Sequence, residues 1–580
     1  MEDEPYFYHP LENIEDIEDF ETAVERTHFT KSLSSERPYT YWTLELYDQD
    51  NGIRGGGGLG VLAADTRRVA EQMGVPFTLI TPFYPSESKQ KIENGNLYDE
   101  HLPVDYHNFG FRFIDTVNVK CCGNLCHLDI IEKRFKTTRI VCITEPNFGE
   151  LYSGMSGSDH RLYQEVSLGF GGYAALKLLG LKPAIMQLNE VATFFAALAR
   201  LDELVSNGMD FYEAVVYTRK HTLYTNHTLV QAAEAEFLEE QFGKFVYPNL
   251  KSPAVKKWIH DKFENGKLKL SSVSIEIAEL RSGVSKLHAR VANYRDIAGN
   301  KVKFKAVTNG IDLEKWVLPE TLAYYRELGI VDKVGFPAKD YTDKIELLTA
   351  DKIREFKHLG RTILNETLSS RPDQAGRILQ FKDDDFIFDF KRRFVDYKRP
   401  DLPFRDLDRL KSILMSKNAH YIISGRIHTG DSVMASKLNH LLSQITHDDF
   451  LNEHVHYLAN YDEKLAYGLS CGSNVAINIP IVGLEACGTS WMKDISNFNL
   501  LISTHDGGVA DVSADNYLNV QGANELEELE ALYQRMEEAI QAWDNDFDLE
   551  YLIKKQLSAF LPVVSGARML KDYLDYLFPA

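Results

Sequence analysis

Basic residues are scarce in this 580-residue chain: 64 Lys and Arg stand against 85 Asp and Glu, a formal net charge of −21 at pH 7. A nucleic-acid reader needs a broad cationic face to meet the phosphate backbone, so nucleic-acid partners are excluded, while a local cationic pocket for a small anion is allowed. Long apolar runs are missing as well. No stretch reaches the roughly 18 residues of a membrane span, and no membrane partner is expected. Cysteine is sparse, six in all. Cys142, Cys471 and Cys487 lie in apolar context, which suits reduced, buried thiols better than a disulfide framework. Cys121, Cys122, Cys126 and His127 form one cluster, but no second Cys/His pair at zinc-site spacing accompanies it. It reads as a hairpin through Gly123-Asn124, and no metal is expected. The opening segment, MEDEPYFYHPLENIEDIEDFE, lacks the basic-then-apolar order of a secretory signal, which gives a cytoplasmic reading.

What is present is a rhythm. Residues 1–36 form an acidic lead-in, with ten carboxylates before the first Lys or Arg, Arg26. From Tyr39, short apolar segments alternate with helix-like ones: Tyr39 to Leu46, the helical Val61 to Met73, Phe77 to Thr81, Ile140 to Ile143, the helical Tyr163 to Leu179, Ile185 to Leu188, and the helical Ala192 to Val205. After a polar, helical middle the pattern restarts with Phe386 to Phe390, His420 to Ile423, Val455 to Leu458, Val475 to Ile479 and Leu500 to Ser503. Apolar strands alternating with amphipathic helices predict an α/β protein with parallel sheets. We read two Rossmann-like, doubly wound domains over 37–310 and 311–560, facing a central cleft, with a C-terminal helix over 561–580 that crosses back to the first domain.

Ligands of such sheets bind beyond the carboxyl ends of the strands. Three loops there carry chemistry. Arg54-Gly-Gly-Gly-Gly-Leu-Gly60 precedes a helix, where glycines permit close backbone approach and the helix start favours an anion. Lys391 to Arg399 packs five cations into nine residues of an acidic chain. Arg393 and Lys398 flank a strand-to-helix turn and can converge on one dianion, the first as a planar fork and the second as a point charge. Gly483 to Asp494 is a further turn opening a helix. There the amides of Gly488 and Thr489 and the Thr489 hydroxyl can cradle an anion, and Glu485 can accept sugar hydroxyls. Lys493, one turn further in, is placed where desolvation would make a reactive amine.

Glu485-Ala-Cys-Gly-Thr-Ser-Trp-Met-Lys493 resembles the pyridoxal-phosphate attachment signature of the α-glucan (glycogen, starch, maltodextrin) phosphorylases, E-A-[SC]-G-x-[GS]-x-M-K. Gly57 to Gly60, Gln187 to Glu190, Tyr224 to Thr228, Gly283 to His288, Asn309 to Ile311, Arg393 to Lys398, Asn460-Tyr461 and Thr504 to Gly507 match the same family in the same order. The resemblance spans about residues 40 to 520 and is closest to the short bacterial and archaeal branch. It implies the GT-B glycosyltransferase architecture, with the first domain binding glucan and the second binding cofactor and phosphate. It implies a hexosyltransferase that cleaves α-1,4-glucan or maltodextrin with inorganic phosphate to α-glucose-1-phosphate with retention. Pyridoxal 5'-phosphate would be the cofactor, its phosphate relaying a proton to inorganic phosphate, so that no flanking carboxylate pair is needed.

By the same resemblance Lys493 would hold the cofactor covalently, and Tyr461, Gly488 and Thr489 would line its pocket. Arg393, Lys398, Thr489 and the Gly58 amide would bind substrate phosphate. Glu485, Asn309 and the His227 backbone carbonyl would hold the glucosyl unit, with Gly57, Leu59, Ala486, Cys487 and Glu190 lining the substrate site. A homo-oligomer is left open. The chain departs from the pattern at Ala192, where the short branch has His, at Ser496 and Phe498 after the signature lysine, and in the loop Arg426 to Gly430. Those departures keep two rivals in view: a nucleotide-sugar glucosyltransferase of the same architecture, and a catalytically silent glucan-binding homologue.

Overall fold

A computed structural model describes residues 32–55, 57–93, 96–151, 156–229, 235–292, 301–427 and 431–579. The acidic lead-in up to residue 31, Gly56 of the glycine turn and residues 428–430 lie outside the described residues. The chain divides into two compact units. One contains residues 32–87, His101–Thr308 and 569–579, the other Ser88–Glu100 and Asn309–Arg568.

The first unit is built on a nine-stranded sheet. From one edge its strands are Lys305–Ala306, Leu280–Gly283, Thr222–Asn226, Ile185–Asn189, Tyr39–Trp42, Phe77–Pro82, Thr138–Thr144, Asn124–Arg134 and Arg112–Cys121. The seven from Lys305 to Thr144 run parallel, and the last two are antiparallel additions. Tyr39–Trp42 and Phe77–Pro82 are buried at every position, because a central parallel strand is covered on both faces. The antiparallel hairpin turns through Cys122 and Gly123, both at positive φ (52° and 77°), which is one residue earlier than the Gly123-Asn124 turn expected from sequence. The expected helix Tyr163–Leu179 forms with an interruption: Ser167–Gly171 is a π-helical turn between Asp159–Val166 and Gly172–Leu178. Glycines are required there, since a Cβ on Gly169 would stand 2.3 Å from Phe195 Cβ and one on Gly172 would stand 2.7 Å from the Trp42 ring.

The second unit carries a six-stranded, wholly parallel sheet in the order Val455–Leu458, Ala419–Ser424, Phe386–Lys391, Val475–Asn478, Leu500–Thr504, Leu518–Val520. Numbered along the chain, these run third, second, first, fourth, fifth, sixth, the doubly wound order. The first unit repeats it: Thr138, Phe77 and Tyr39 lead one way and Ile185, Thr222 and Leu280 the other. Strand order therefore reverses between Tyr39–Trp42 and Ile185–Asn189 in one unit and between Phe386–Lys391 and Val475–Asn478 in the other. At each reversal the loops from neighbouring strands diverge to opposite faces and leave a crevice beyond the strand ends, where ligand-binding residues are expected.

Candidate functional site

In the second unit the cationic run leaves the strand Phe386–Lys391 at the reversal point, and its five cations separate into different jobs. Lys391 is buried between two carboxylates, 2.8 and 3.1 Å from the Asp389 oxygens and in contact with Asp494. Arg399, at φ 51°, is also buried. It donates to the carbonyls of Ile479 (2.9 Å) and Pro480 (3.2 Å) and pairs with Glu528. These two hold the fold together, which narrows the cationic run read from sequence to Arg392, Arg393 and Lys398.

Arg392, to which sequence reasoning gave no role, proves central. Its Nη2 lies 2.6 Å from Glu485 Oε2, and Lys398 Nζ lies 3.2 Å from the same oxygen. Arg392 Nη1 is buried without a hydrogen-bond partner among the described residues. Burial, reinforced by the Arg392 and Arg393 charges, pulls the Lys398 ammonium down to about 8 despite Glu485. Burial alone would raise the Glu485 carboxyl, but Lys398 and Arg392 together outweigh it and hold the group below its ordinary value. Two cations thus meet on one carboxylate, and Arg393 is close enough to Lys398 to lower its proton affinity.

Glu485 is fixed from behind. Its N–H donates to Asp506 Oδ2 at 2.9 Å, and the Gly507 N–H donates to Asp506 Oδ1 at 2.8 Å. Gly488 has a steric reason to lack a side chain: a Cβ would stand 2.5 Å from Arg392 Nη2. Thr489 caps the helix Ser490–Ile495 without a side-chain capping bond. That helix has only six residues, so its dipole adds little, and the side chains of Arg392, Arg393 and Lys398 supply most of the positive potential. Lys493 on the same helix is buried, with Nζ 3.2 Å from the centroid of the Trp316 ring. Tyr461 packs against the apolar cluster of Leu364, Leu465 and Leu469. Asn309 reaches the Cys487 carbonyl with Nδ2 (3.5 Å), while its Oδ1 is buried with no partner among the described residues. Ala486 is buried, and burial pushes the half-buried Cys487 thiol far up.

The departures after Lys493 have a local explanation. Ser496 turns its hydroxyl back to the Met492 carbonyl at 2.8 Å, and its own carbonyl accepts from Tyr325 Oη at 3.1 Å. Phe498 holds φ at 64°, a conformation suited to glycine, and is kept there by packing on Phe356 (5.9 Å, stacked) and Tyr325 (5.6 Å, edge-on).

In the first unit the reversal point gathers a different set. Glu190, at φ 64°, follows Asn189 out of its strand. Its Oε1 accepts from the His227 N–H (2.9 Å) and the Thr228 hydroxyl (2.7 Å). Burial raises the Glu190 carboxyl to about 7, with the Glu45 charge adding to the rise. Glu45, another residue without a sequence-level signal, accepts the Gly57 N–H at 2.8 Å. The His227 ring lies with Nε2 2.9 Å from Asn189 Oδ1, and burial together with His288 lowers it to about 3, so it is neutral at ordinary pH. Gly57 precedes the helix Gly58–Met73, where Gly58 is exposed and Leu59 half-buried. Gly60 is tight, since a Cβ there would stand 2.9 Å from Tyr47 N. Ala192 is buried in the short turn Val191–Thr193, a position without any titratable group. Among the described residues no cluster of His, Cys, Asp or Glu is arranged to hold a metal ion, and no helix is long and apolar enough to cross a membrane.

A buried amine, an arginine with an unmet donor and a glycine that leaves room for it fit a phosphorylated aldehyde such as pyridoxal phosphate. The family model described as "Carbohydrate phosphorylase" matches residues 235–574. Similar curated proteins include the maltodextrin phosphorylase of Thermococcus litoralis and the glycogen phosphorylase of Mycobacterium tuberculosis, each 25% identical over 90% of this chain and 68% of the relative. The glycogen phosphorylase of Aquifex aeolicus is 26% identical over 90% of this chain and 83% of its own length.

Proposed function

The chain belongs to the carbohydrate phosphorylase family, and on that premise we propose that it is a pyridoxal-phosphate-dependent α-glucan phosphorylase. It transfers the terminal glucosyl unit of an α-1,4-glucan or maltodextrin to inorganic phosphate and releases α-glucose-1-phosphate with retention. The observation that carries the reading is the convergence of Arg392 and Lys398 on Glu485, against Gly488 and on the loop that leads to buried Lys493.

Lys493 would hold the cofactor through its amine, while Arg392, Gly488, Thr489 and Tyr461 would receive the rest of it. When bound, the cofactor supplies a second phosphate group that exchanges a proton with inorganic phosphate. The chain's own residues then do three things. Arg393 and Lys398, with the Thr489 hydroxyl and the Gly58 amide, bind inorganic phosphate and offset the repulsion between two neighbouring dianions. Glu485, Asn309, Ala486, Cys487 and the His227 carbonyl orient the glucosyl ring, and Glu190, Gly57 and Leu59 line the rest of the substrate site. Exclusion of bulk water keeps phosphate the acceptor. A proton passes from phosphate to the glycosidic oxygen, the C1–O bond breaks, and a phosphate oxygen closes on C1 from the same face.

Family membership supports reading 37–310 and 311–560 as the two Rossmann-like halves of the GT-B architecture. The acidic composition and reduced cysteines support a cytoplasmic location. Ala192 and Phe498 favour one competing reading, a silent glucan-binding homologue. The deciding experiment gives a maltodextrin primer glucose-1-phosphate in one tube and UDP- or ADP-glucose in another. Elongation from glucose-1-phosphate is expected. Elongation from the nucleotide sugar alone, or from neither donor with cofactor bound, would sink the phosphorylase reading.

A further inference from the structure

Glu485 occupies the place of an anion inside the cationic site. Its Oε2 is 2.6 Å from Arg392 Nη2 and 3.2 Å from Lys398 Nζ, with the Arg392, Glu485 and Lys398 side chains only 3, 10 and 13% exposed. A charge pair this dry is far stronger than one in water. The backbone that carries the carboxylate is anchored through the Glu485 N–H on Asp506, so Glu485 cannot withdraw by a simple loop shift. Gly488 is shaped to let the guanidinium reach it. Yet the pair satisfies the site only in part, because Arg392 Nη1 stays buried without a partner among the described residues. With Arg392 Nη1 left to the cofactor, an oxyanion entering beside Lys398 would meet a carboxylate already drawing on that ammonium and on Arg392.

We propose that Glu485 is a built-in counter-ion that couples the two substrates, opposing the oxyanion until sugar hydroxyls engage its carboxylate. The identity of the two ligands rests on the phosphorylase reading above; the coupling itself rests on the contacts of Glu485. Hydroxyl donors spread the carboxylate charge and weaken its hold on Lys398 and Arg392, so sugar tightens oxyanion binding. By linkage the oxyanion tightens sugar binding by the same factor. The arrangement disfavours an oxyanion bound without a glucan to receive it.

The test is calorimetric titration of the cofactor-loaded enzyme with sulfate, a tetrahedral dianion that the reaction cannot consume, with and without saturating maltodextrin. Measurements near pH 6 keep Lys398 protonated, since its lowered value of about 8 would fall further without Glu485. Wild type should bind sulfate about tenfold tighter when maltodextrin is present, a coupling of ordinary size. Glu485→Gln should bind sulfate about tenfold tighter than wild type without sugar, because one opposing charge is gone, and should respond little to maltodextrin. Sulfate affinity of wild type that ignores maltodextrin, weaker sulfate binding by Glu485→Gln, or no sulfate binding by either protein would overturn the proposal. The wild-type titrations decide it even if the variant fails to fold. Sugar-dependent sulfate binding in an enzyme that performs no phosphorolysis would refute the reaction and uphold the counter-ion.

Discussion

Replacing Lys391 by Met removes the cation between Asp389 and Asp494 while keeping most of the side-chain volume. All three side chains are at most 2% exposed, so neither carboxylate can turn to water for relief. Breaking a buried pair from one side costs about 3–5 kcal/mol. A second route to the magnitude agrees. The cheapest relief is to protonate one carboxyl, and holding a group with an unfolded value near 3.9 neutral at pH 7 costs about 4 kcal/mol. That cost falls with pH: at pH 5 the same neutralisation takes about 1.5 kcal/mol. At roughly 2–4 °C per kcal/mol for a unit of this size, thermal unfolding near pH 7 should drop by about 10 °C, and by less than half of that at pH 5. Asp389→Asn combined with Lys391→Met should recover part of the loss, since one unpaired charge disappears with the cation. Differential scanning calorimetry of wild type and both variants at the two pH values reads this out. A drop under about 1 °C, or one of equal size at both pH values, would mean that Lys391 is not the neutralising partner and that the division of the cationic run into structural and binding residues is wrong.

Arg393→Ala and Lys398→Ala should each lower phosphorolysis about a hundredfold or more, at ~2.7–4 kcal/mol for one contact to developing charge; near-normal turnover would contradict the assignment. Sulfate affinity should fall as pH rises through about 8, where the ammonium of Lys398 becomes neutral in the ligand-free enzyme, and Lys398→Met should abolish that step in the titration. Phe498→Gly relieves a positive φ that costs roughly 1–3 kcal/mol, but it empties a site between Tyr325 and Phe356 worth about 3–5 kcal/mol, so net destabilisation near 2 kcal/mol is expected by chemical denaturation. Borohydride reduction of the cofactor-loaded enzyme followed by peptide mapping should label Lys493, and a label on any other lysine would refute its role.

The parallel strands were legible because central strands such as Phe77–Pro82 and Phe386–Lys391 are buried on both faces and read as short apolar runs. Strands without that signal were not. Ser86–Glu93 has one apolar residue in SESKQKIE and is a strand only through its pairing with Asn96–Pro103. The π turn at Ser167–Gly171 was hidden for a similar reason, since local periodicity carries no record of how closely Phe195 approaches Gly169. At the site, the run Lys391 to Arg399 announced positive charge but could not say which cation served what. Lys391 has a near partner in Asp389, but its second, Asp494, lies 103 residues away and the partner of Lys398, Glu485, lies 87 away, and the sequence holds no local trace of either distant pairing. Glu45 and Arg392 escaped notice in the same way, their importance resting on the Gly57 amide and the Glu485 carboxylate that folding brings to them.

The reaction itself is tested by the product formed from maltodextrin and inorganic phosphate by enzyme with and without pyridoxal phosphate, followed by phosphorus NMR so that the anomer is identified. The loaded enzyme should give α-glucose-1-phosphate, and the cofactor-free enzyme and Lys493→Ala should give none. Free glucose as the product, the β anomer, or equal turnover without the cofactor would contradict the phosphorylase reading.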